Sequence, residues 1–178
     1  IASDGPHTAE ILPCDLQSHG KGRIWTIRLR MIDVRTFHPA LDGYFLDTGT
    51  RHFVRHVEDV EKVDIDSEGK AARMDPAFAP IGANANFVSP WKNGCLKIRT
   101  FEKGVEAETL ACGTGITASA IASFLKGIPP TDIKEGHPRY DLRARTDTLS
   151  VDFLPAEDGN GNRYFKEVFL TGPAEEIL

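Results

Sequence analysis

Residues 108–120 read ETLACGTGITASA and place one cysteine, Cys112, directly ahead of a Gly-Thr-Gly step and a run of small residues with helical character. A sharp glycine turn feeding a helix puts Cys112 at or just before the helix N-terminus. Backbone N–H groups there lack intrahelical partners, and the helix dipole is positive. Both favour a thiolate, which in such settings lowers a thiol from about 8.5 to between roughly 3.5 and 7.5. The same N–H groups can cradle a carboxylate, and the glycines let a substrate approach the backbone closely. Three chemistries fit. The sulfur can attack an electrophilic carbon, move a proton as general acid or base, or cycle through disulfides, although no resolving cysteine lies near in sequence. A buried cysteine that merely starts a helix is the structural alternative.

The elements that must hold this turn follow from periodicity. Residues 114–125 carry Ile116, Ala120, Ile121, Phe124 and Leu125 at helical spacing, with Ala118 and Ala122 between them. A helix apolar nearly all round belongs in a core. Lys126-Gly127 ends it and Pro129-Pro130 prevents continuation. Around it lie short strands. Residues 23–31, RIWTIRLRM, alternate as a half-buried strand with Arg28 and Arg30 on a solvated face. Pro39 and Asp42-Gly43 break the next segment, YFLDTG reads as a short strand, and 51–57 is strand-like. Residues 60–65 begin a weak helix or turn ended by SEGK. Asn93-Gly94 between GANANFV and CLKIRTF signals a hairpin. Residues 149–154 and 164–170 are strands joined by the turn AEDGNGN. The class expected is α+β, a mostly antiparallel sheet wrapped around a central helix.

Composition narrows function. The chain has 178 residues, 40% apolar and 26% charged, and a formal net charge of −5. That gives no broad basic field for nucleic acid or an anionic membrane. No apolar run approaches a membrane span of roughly 20 residues. The N-terminus lacks a secretory pattern and a starting Met, and reads as processed or truncated. The three cysteines, Cys14, Cys95 and Cys112, are odd in number and widely spaced, so reduced thiols in a cytoplasmic protein are expected. Cys95 falls in a strand, and DLQSHGKG, with Cys14 just ahead of it, reads as a loop.

The stretch RTFEKGVEAETLACGTGITASA resembles the second cysteine motif of the diaminopimelate epimerase family. DTGTRHFVRHVEDVEKVDID, FAPIGANANFV and VFLTGPAEEIL resemble three further segments of that family, in order. The resemblance implies one half of a two-domain, pseudo-symmetric fold. It also implies a cofactor-independent, two-base epimerisation of L,L-diaminopimelate to meso-diaminopimelate, on the route to lysine and cell-wall peptide. One thiolate removes the α-proton and a second cysteine, on the opposite face, returns one. By the same resemblance Cys112, Glu102 and His52 serve catalysis. Asn84, Glu102, Lys103, Gly113, Thr114 and Thr50 serve substrate binding, with the Gly113 and Thr114 N–H groups on the reacting carboxylate. No metal or organic cofactor is implied, and a homodimer is compatible with the family.

The chain departs from the pattern in places. No CGNG-x-R segment carries a first cysteine, and GNGNR at 159–163 follows Asp158 in a hairpin loop instead. Lys103 stands where arginine is usual, a point charge in place of a bidentate fork. Thr50-Arg51 replaces the usual X-Pro. The expected division is a remnant of the N-terminal domain at 1–15, the second-cysteine domain at 16–165, and a closing strand at 166–178 that returns to the N-terminal domain. The missing half is then a needed partner, and the 178 residues alone should not epimerise. The alternatives are a proline- or hydroxyproline-type racemase, or a non-catalytic binding half. His7, His19, His38, His56 and His137 carry no motif and are expected at the surface.

Overall fold

The computed structural model describes residues 7–13 and 24–175. Cys14, the loop at 15–22 with His19, Arg23 and both extreme ends lie outside the described residues. The strands are β1 (Ala9–Leu12), β2 (Ile24–Arg30), β3 (Thr36–Ala40), β4 (Gly43–Asp47), β5 (Arg51–His56), β6 (Asn84–Pro90), β7 (Leu96–Glu102), β8 (Ala107–Thr109), β9 (Asp132–Lys134), β10 (His137–Arg143), β11 (Thr148–Glu157) and β12 (Arg163–Glu175). The helices are α1 (Lys70–Arg73) and α2 (Gly113–Leu125).

These strands form one sheet in the order β1-β2-β12-β11-β10-β7-β6-β5-β4-β3, with β8 on β7 and β9 on β10. Pairing is antiparallel except at β5–β6 and β7–β10. Val34, just ahead of β3, exchanges two backbone hydrogen bonds with Phe165 of β12, at 2.8 and 2.9 Å. The sheet therefore closes on itself around α2. Every residue of α2 from Gly115 to Ser123 is buried, as a helix without a polar stripe requires. The expected α+β wrap is the observed one.

Strand alternation divides the wall into two faces. In β5, His52, Val54 and His56 turn inward, and in β6, Asn84, Asn86 and Val88 do. Val54, Val88, Ile98, Ile116 and Ile121 share the inner core with Phe153 and Phe165. Phe53, Phe87 and Phe101 turn outward and pack with Phe45, Phe78 and Ile65. This outer cluster is covered by the crossover between β5 and β6, which their parallel pairing demands.

Several local readings are corrected. Pro39 does not break its segment. It sits in β3, at the end of the strand order, where a missing N–H costs no ladder bond. SEGK does not end the helical stretch at 60–65, because the chain runs through Gly69 (φ −63°, ψ −46°) into α1. A Cβ on Gly69 would lie 2.5 Å from that of Phe101, so the bare backbone lets this turn press onto the sheet. Arg28 is not on a freely solvated face. Its guanidinium stacks 3.5 Å from the Phe169 ring centroid and bonds Asp152 at 2.9 Å. Cys95 lies in the β6–β7 connection, one residue before β7. GNGN lies in the β11–β12 hairpin turn, as expected, where Asp158 accepts from the Asn160 and Asn162 N–H groups.

Candidate active site

The site lies where the N-terminus of α2 meets the inner faces of β5, β6 and β7. Cys112 is the extended residue before the helix (φ −131°, ψ 107°). Its carbonyl accepts the first helical bond, from Ile116 N–H at 2.8 Å. The loop between β4 and β5 is clamped against this turn, with Thr48 Oγ1 donating to the Thr114 carbonyl at 2.9 Å. Gly115 must be glycine, because a Cβ there would meet Asn86 Oδ1 at 2.5 Å, His52 Cε1 at 3.2 Å and Cys112 Sγ at 3.3 Å.

A cavity of about 320 Å³ opens beside the sulfur, lined by Cys112, Thr114, Thr50, Asn84, Glu102 and Lys103, with Arg51 and Ile81. Seven residues expected from sequence therefore assemble at one place: six line the cavity and His52 lies fully buried behind them. Gly113 does not line it; its Cα faces Leu170. A larger groove of about 480 Å³, around Arg28, Asp152 and His137, shares none of these residues.

The sulfur is not simply activated. Burial pushes the Cys112 thiol above its ordinary value. The Thr114 hydroxyl, 3.5 Å from Sγ, and the Gly115 and Thr114 N–H groups pull the other way, while Glu102 adds to the rise. Those N–H groups face the sulfur without closing a capping hydrogen bond. The thiolate favoured by the helix terminus alone is outweighed by desolvation, and the resting group at neutral pH is the thiol.

Asn84 is held by structure and still faces the cavity. Its amide donates to the Arg51 carbonyl at 3.1 Å, and its oxygen accepts from the Lys103 N–H at 2.7 Å. One N–H and one lone pair remain for a ligand. Lys103 is exposed and Glu102 half-buried at the rim. Arg51, which carries no motif signal as a site residue, lines the cavity and donates to the Phe78 carbonyl at 3.3 Å. Asn86 and Thr100 were also missed. The signal for Asn86 was its place two residues after Asn84 in a strand, which puts both on one face.

His52 is pushed down to about 3 by burial, against a smaller opposing effect of its Asn86 hydrogen bond. His56, expected at the surface, lies mostly buried, bonded to Ser123 Oγ at 2.9 Å and pushed down to about 4 by burial and by Lys126. Both folded values lie below the unfolded one of about 6.5, so the folded state binds fewer protons and stability falls as pH drops below that value. Between pH 7 and 5 His52 should cost on the order of 2 kcal/mol, with His56 acting in the same sense. Urea unfolding at the two pH values should show this slope, flattened in His52→Gln.

A thiol at a helix mouth beside a polar cavity suits acid–base chemistry on a small ligand. The fold matches that of a probable proline racemase from Agrobacterium radiobacter K84, with a TM-score of 0.56 and 13% identity over 88% of this chain and 57% of that one. Sequence is more specific. Residues 44–134 match the diaminopimelate epimerase family model, and the chain belongs to that family. It is 47% identical over 136 residues to the diaminopimelate epimerase of Aquifex aeolicus, covering 76% of this chain and 44% of the relative. It is 34% identical over 179 residues to that of Flavobacterium psychrophilum, covering 100% and 61%. The chain thus spans about half the length of the curated relatives it matches. Among the described residues no helix is long and apolar enough to cross a membrane.

Proposed function

We propose that this chain contributes one of the two thiols of a cofactor-independent diaminopimelate epimerase. The observation that carries the reading is the Cys112 sulfur, at the open N-terminus of α2, beside a cavity lined by Asn84, Glu102, Lys103, Thr50 and Thr114. A thiolate facing the other side of the substrate removes the α-proton and becomes a thiol. The Cys112 thiol gives its proton to the opposite face of the same carbon and becomes a thiolate. One C–H bond breaks, one forms, and no electrons leave the pair.

Charge builds up on the substrate carboxylate as the proton leaves, and donors at the helix mouth stabilise it. Gly113 and Thr114 are assigned to that carboxylate. Glu102 and Lys103 meet the substrate, Asn84 takes its distal amino-acid group, and Glu102 and His52 set the polarity around the sulfur. Cys95 lies apart in the β6–β7 connection, so among the described residues Cys112 has no second thiol to work with. The opposing cysteine belongs to the other domain, which the family resemblance places upstream. Residues 16–165 are assigned to the domain that holds Cys112, with 1–15 and 166–178 as the segments through which it joins the other domain. A reduced, cytoplasmic setting suits both thiols.

The test is to incubate the full-length gene product with L,L-diaminopimelate in heavy water and follow the α-proton by NMR, with proline as the control. Deuterium uptake with inversion at diaminopimelate is expected, and no inversion by the 178 residues alone. Exchange with proline only, or with neither, would overturn the reading.

A further inference from the structure

A chain of hydrogen bonds runs from the outer wall of the site to the sulfur, and its first member fixes the direction of all the others. Asn86 is fully buried on β6, opposite Thr100 of β7. Its Nδ2 lies 3.0 Å from the Phe53 carbonyl and 3.0 Å from His52 Nδ1. A carbonyl can only accept, so this atom is the amide nitrogen. The Thr100 hydroxyl donates to Oδ1 at 2.9 Å and holds the amide that way round. Nδ1 of His52 must therefore accept, which leaves the ring proton on Nε2.

Nε2 lies 2.8 Å from Thr50 Oγ1 and 2.9 Å from Thr114 Oγ1. The two hydroxyls are 3.0 Å apart, and Thr114 Oγ1 is 3.5 Å from Cys112 Sγ. An imidazole that donates into this pair fills an acceptor site on a hydroxyl and claims no hydroxyl proton. Thr50 can then donate to Thr114, and Thr114 to sulfur. The opposite tautomer would present a lone pair at Nε2 that competes with sulfur for the Thr114 proton.

We propose that Asn86 is a positioning residue for Cys112: by holding His52 as its Nε2–H tautomer it turns the Thr50–Thr114 hydroxyl pair outward, so that an O–H donor faces the sulfur. That donor stabilises the thiolate formed when Cys112 gives up its proton. The inference rests on Cys112 being the proton-transferring thiol, but its structural content can be read without turnover.

The test uses the full-length gene product labelled with ¹⁵N at histidine. Long-range ¹H–¹⁵N correlation should show His52 protonated at Nε2 in the wild type. Asn86→Leu adds no charge and removes the donor to Nδ1, so the Nδ1–H form should appear. Iodoacetamide alkylation of Cys112, followed against pH, should then shift upward, with the rate at pH 8 about 10-fold lower. Thr100→Val, which frees the amide while keeping Asn86, should move both readouts the same way by less, and it decides the matter should Asn86→Leu fail to fold. A wild-type His52 protonated at Nδ1 overturns the proposal. So does an alkylation profile unmoved in a variant whose tautomer has changed. Failure of diaminopimelate exchange with these two results intact would instead count against the epimerase reading alone.

Discussion

Cys112→Ala in the full-length protein is expected to reduce inversion of diaminopimelate by about 10²- to 10⁴-fold, the usual contribution of a positioned acid or base. Stability should hardly change. The sulfur is only half-buried and makes a single side-chain hydrogen bond, to Thr114 at 3.5 Å. The form of the loss is more telling than its size. With the acid gone from one face, the base on the other can still remove an α-proton and return a deuteron to the same face. Deuterium should enter one stereoisomer with retention while inversion disappears. Cys112→Ser should behave similarly, because a hydroxyl is a far weaker acid than a thiol. NMR of the recovered amino acid in heavy water separates the outcomes. Inversion within tenfold of wild type in either variant would remove Cys112 from the chemistry.

Arg99→Met should give the largest loss of stability, about 3 kcal/mol, by analogy with breaking a buried ion pair. For a chain of this size that lowers the melting temperature by roughly 10 °C. Arg99 turns outward from β7 and is 9% exposed. Its guanidinium grips both Glu108 oxygens at 2.8 Å and donates to the Val60 and Val63 carbonyls at 3.0 Å each. Removing it takes a donor from both carbonyls, of which Val60 keeps the Val63 N–H at 3.3 Å, and a partner from a carboxylate that Arg99 and Arg145 hold below its usual range. Arg145 still reaches Glu108 at 2.9 Å, which keeps the loss below that of a fully stranded charge. Arg99→Lys keeps the charge without the fork and should fall between. Since Glu108 sits on β8, immediately upstream of the Cys112 turn, Arg99→Met should also lower activity at temperatures where the protein is folded. Thermal unfolding of both variants, beside the rim variant Arg145→Ala at within about 1 kcal/mol of wild type, checks the ordering.

The parts of this molecule legible in its sequence were those governed by local rules. The small, apolar run after Cys112 declared a buried helix, Lys126-Gly127 ended it with Gly127 at φ 81°, and Asn93-Gly94 marked the β6–β7 connection. What local rules could not supply was the company each segment keeps. Pro39 reads as a breaker until β3 is seen to end the sheet. In β10 Pro138, Tyr140 and Leu142 alternate as buried residues with Arg139, Asp141 and Arg143, but the charged face and the proline mask that period in the sequence. His56 looked like a surface residue, yet its strand neighbours Val54 and His52 share its inward face. At the site, motif resemblance found the residues beside the cavity, but Asn86 and Thr100 act from the layer behind it and carry no motif of their own. Their role depends on the register between β6 and β7.

The closure between Val34 and Phe165 bears on how the chain reaches this structure. These partners come from opposite ends of the described sequence, so the wall around α2 stays open until β12 has been made. Contacts of such wide sequence separation are reached slowly, since loop closure must precede the contacts that reward it. During synthesis α2 emerges after most of the strands around it but before β10, β11 and β12, leaving one side of an apolar helix without a wall. The last strands thus act as a door shut from outside. Once it is shut, the backbone of α2 can meet solvent only when the barrel as a whole opens, so its central amides should exchange at the rate set by global unfolding.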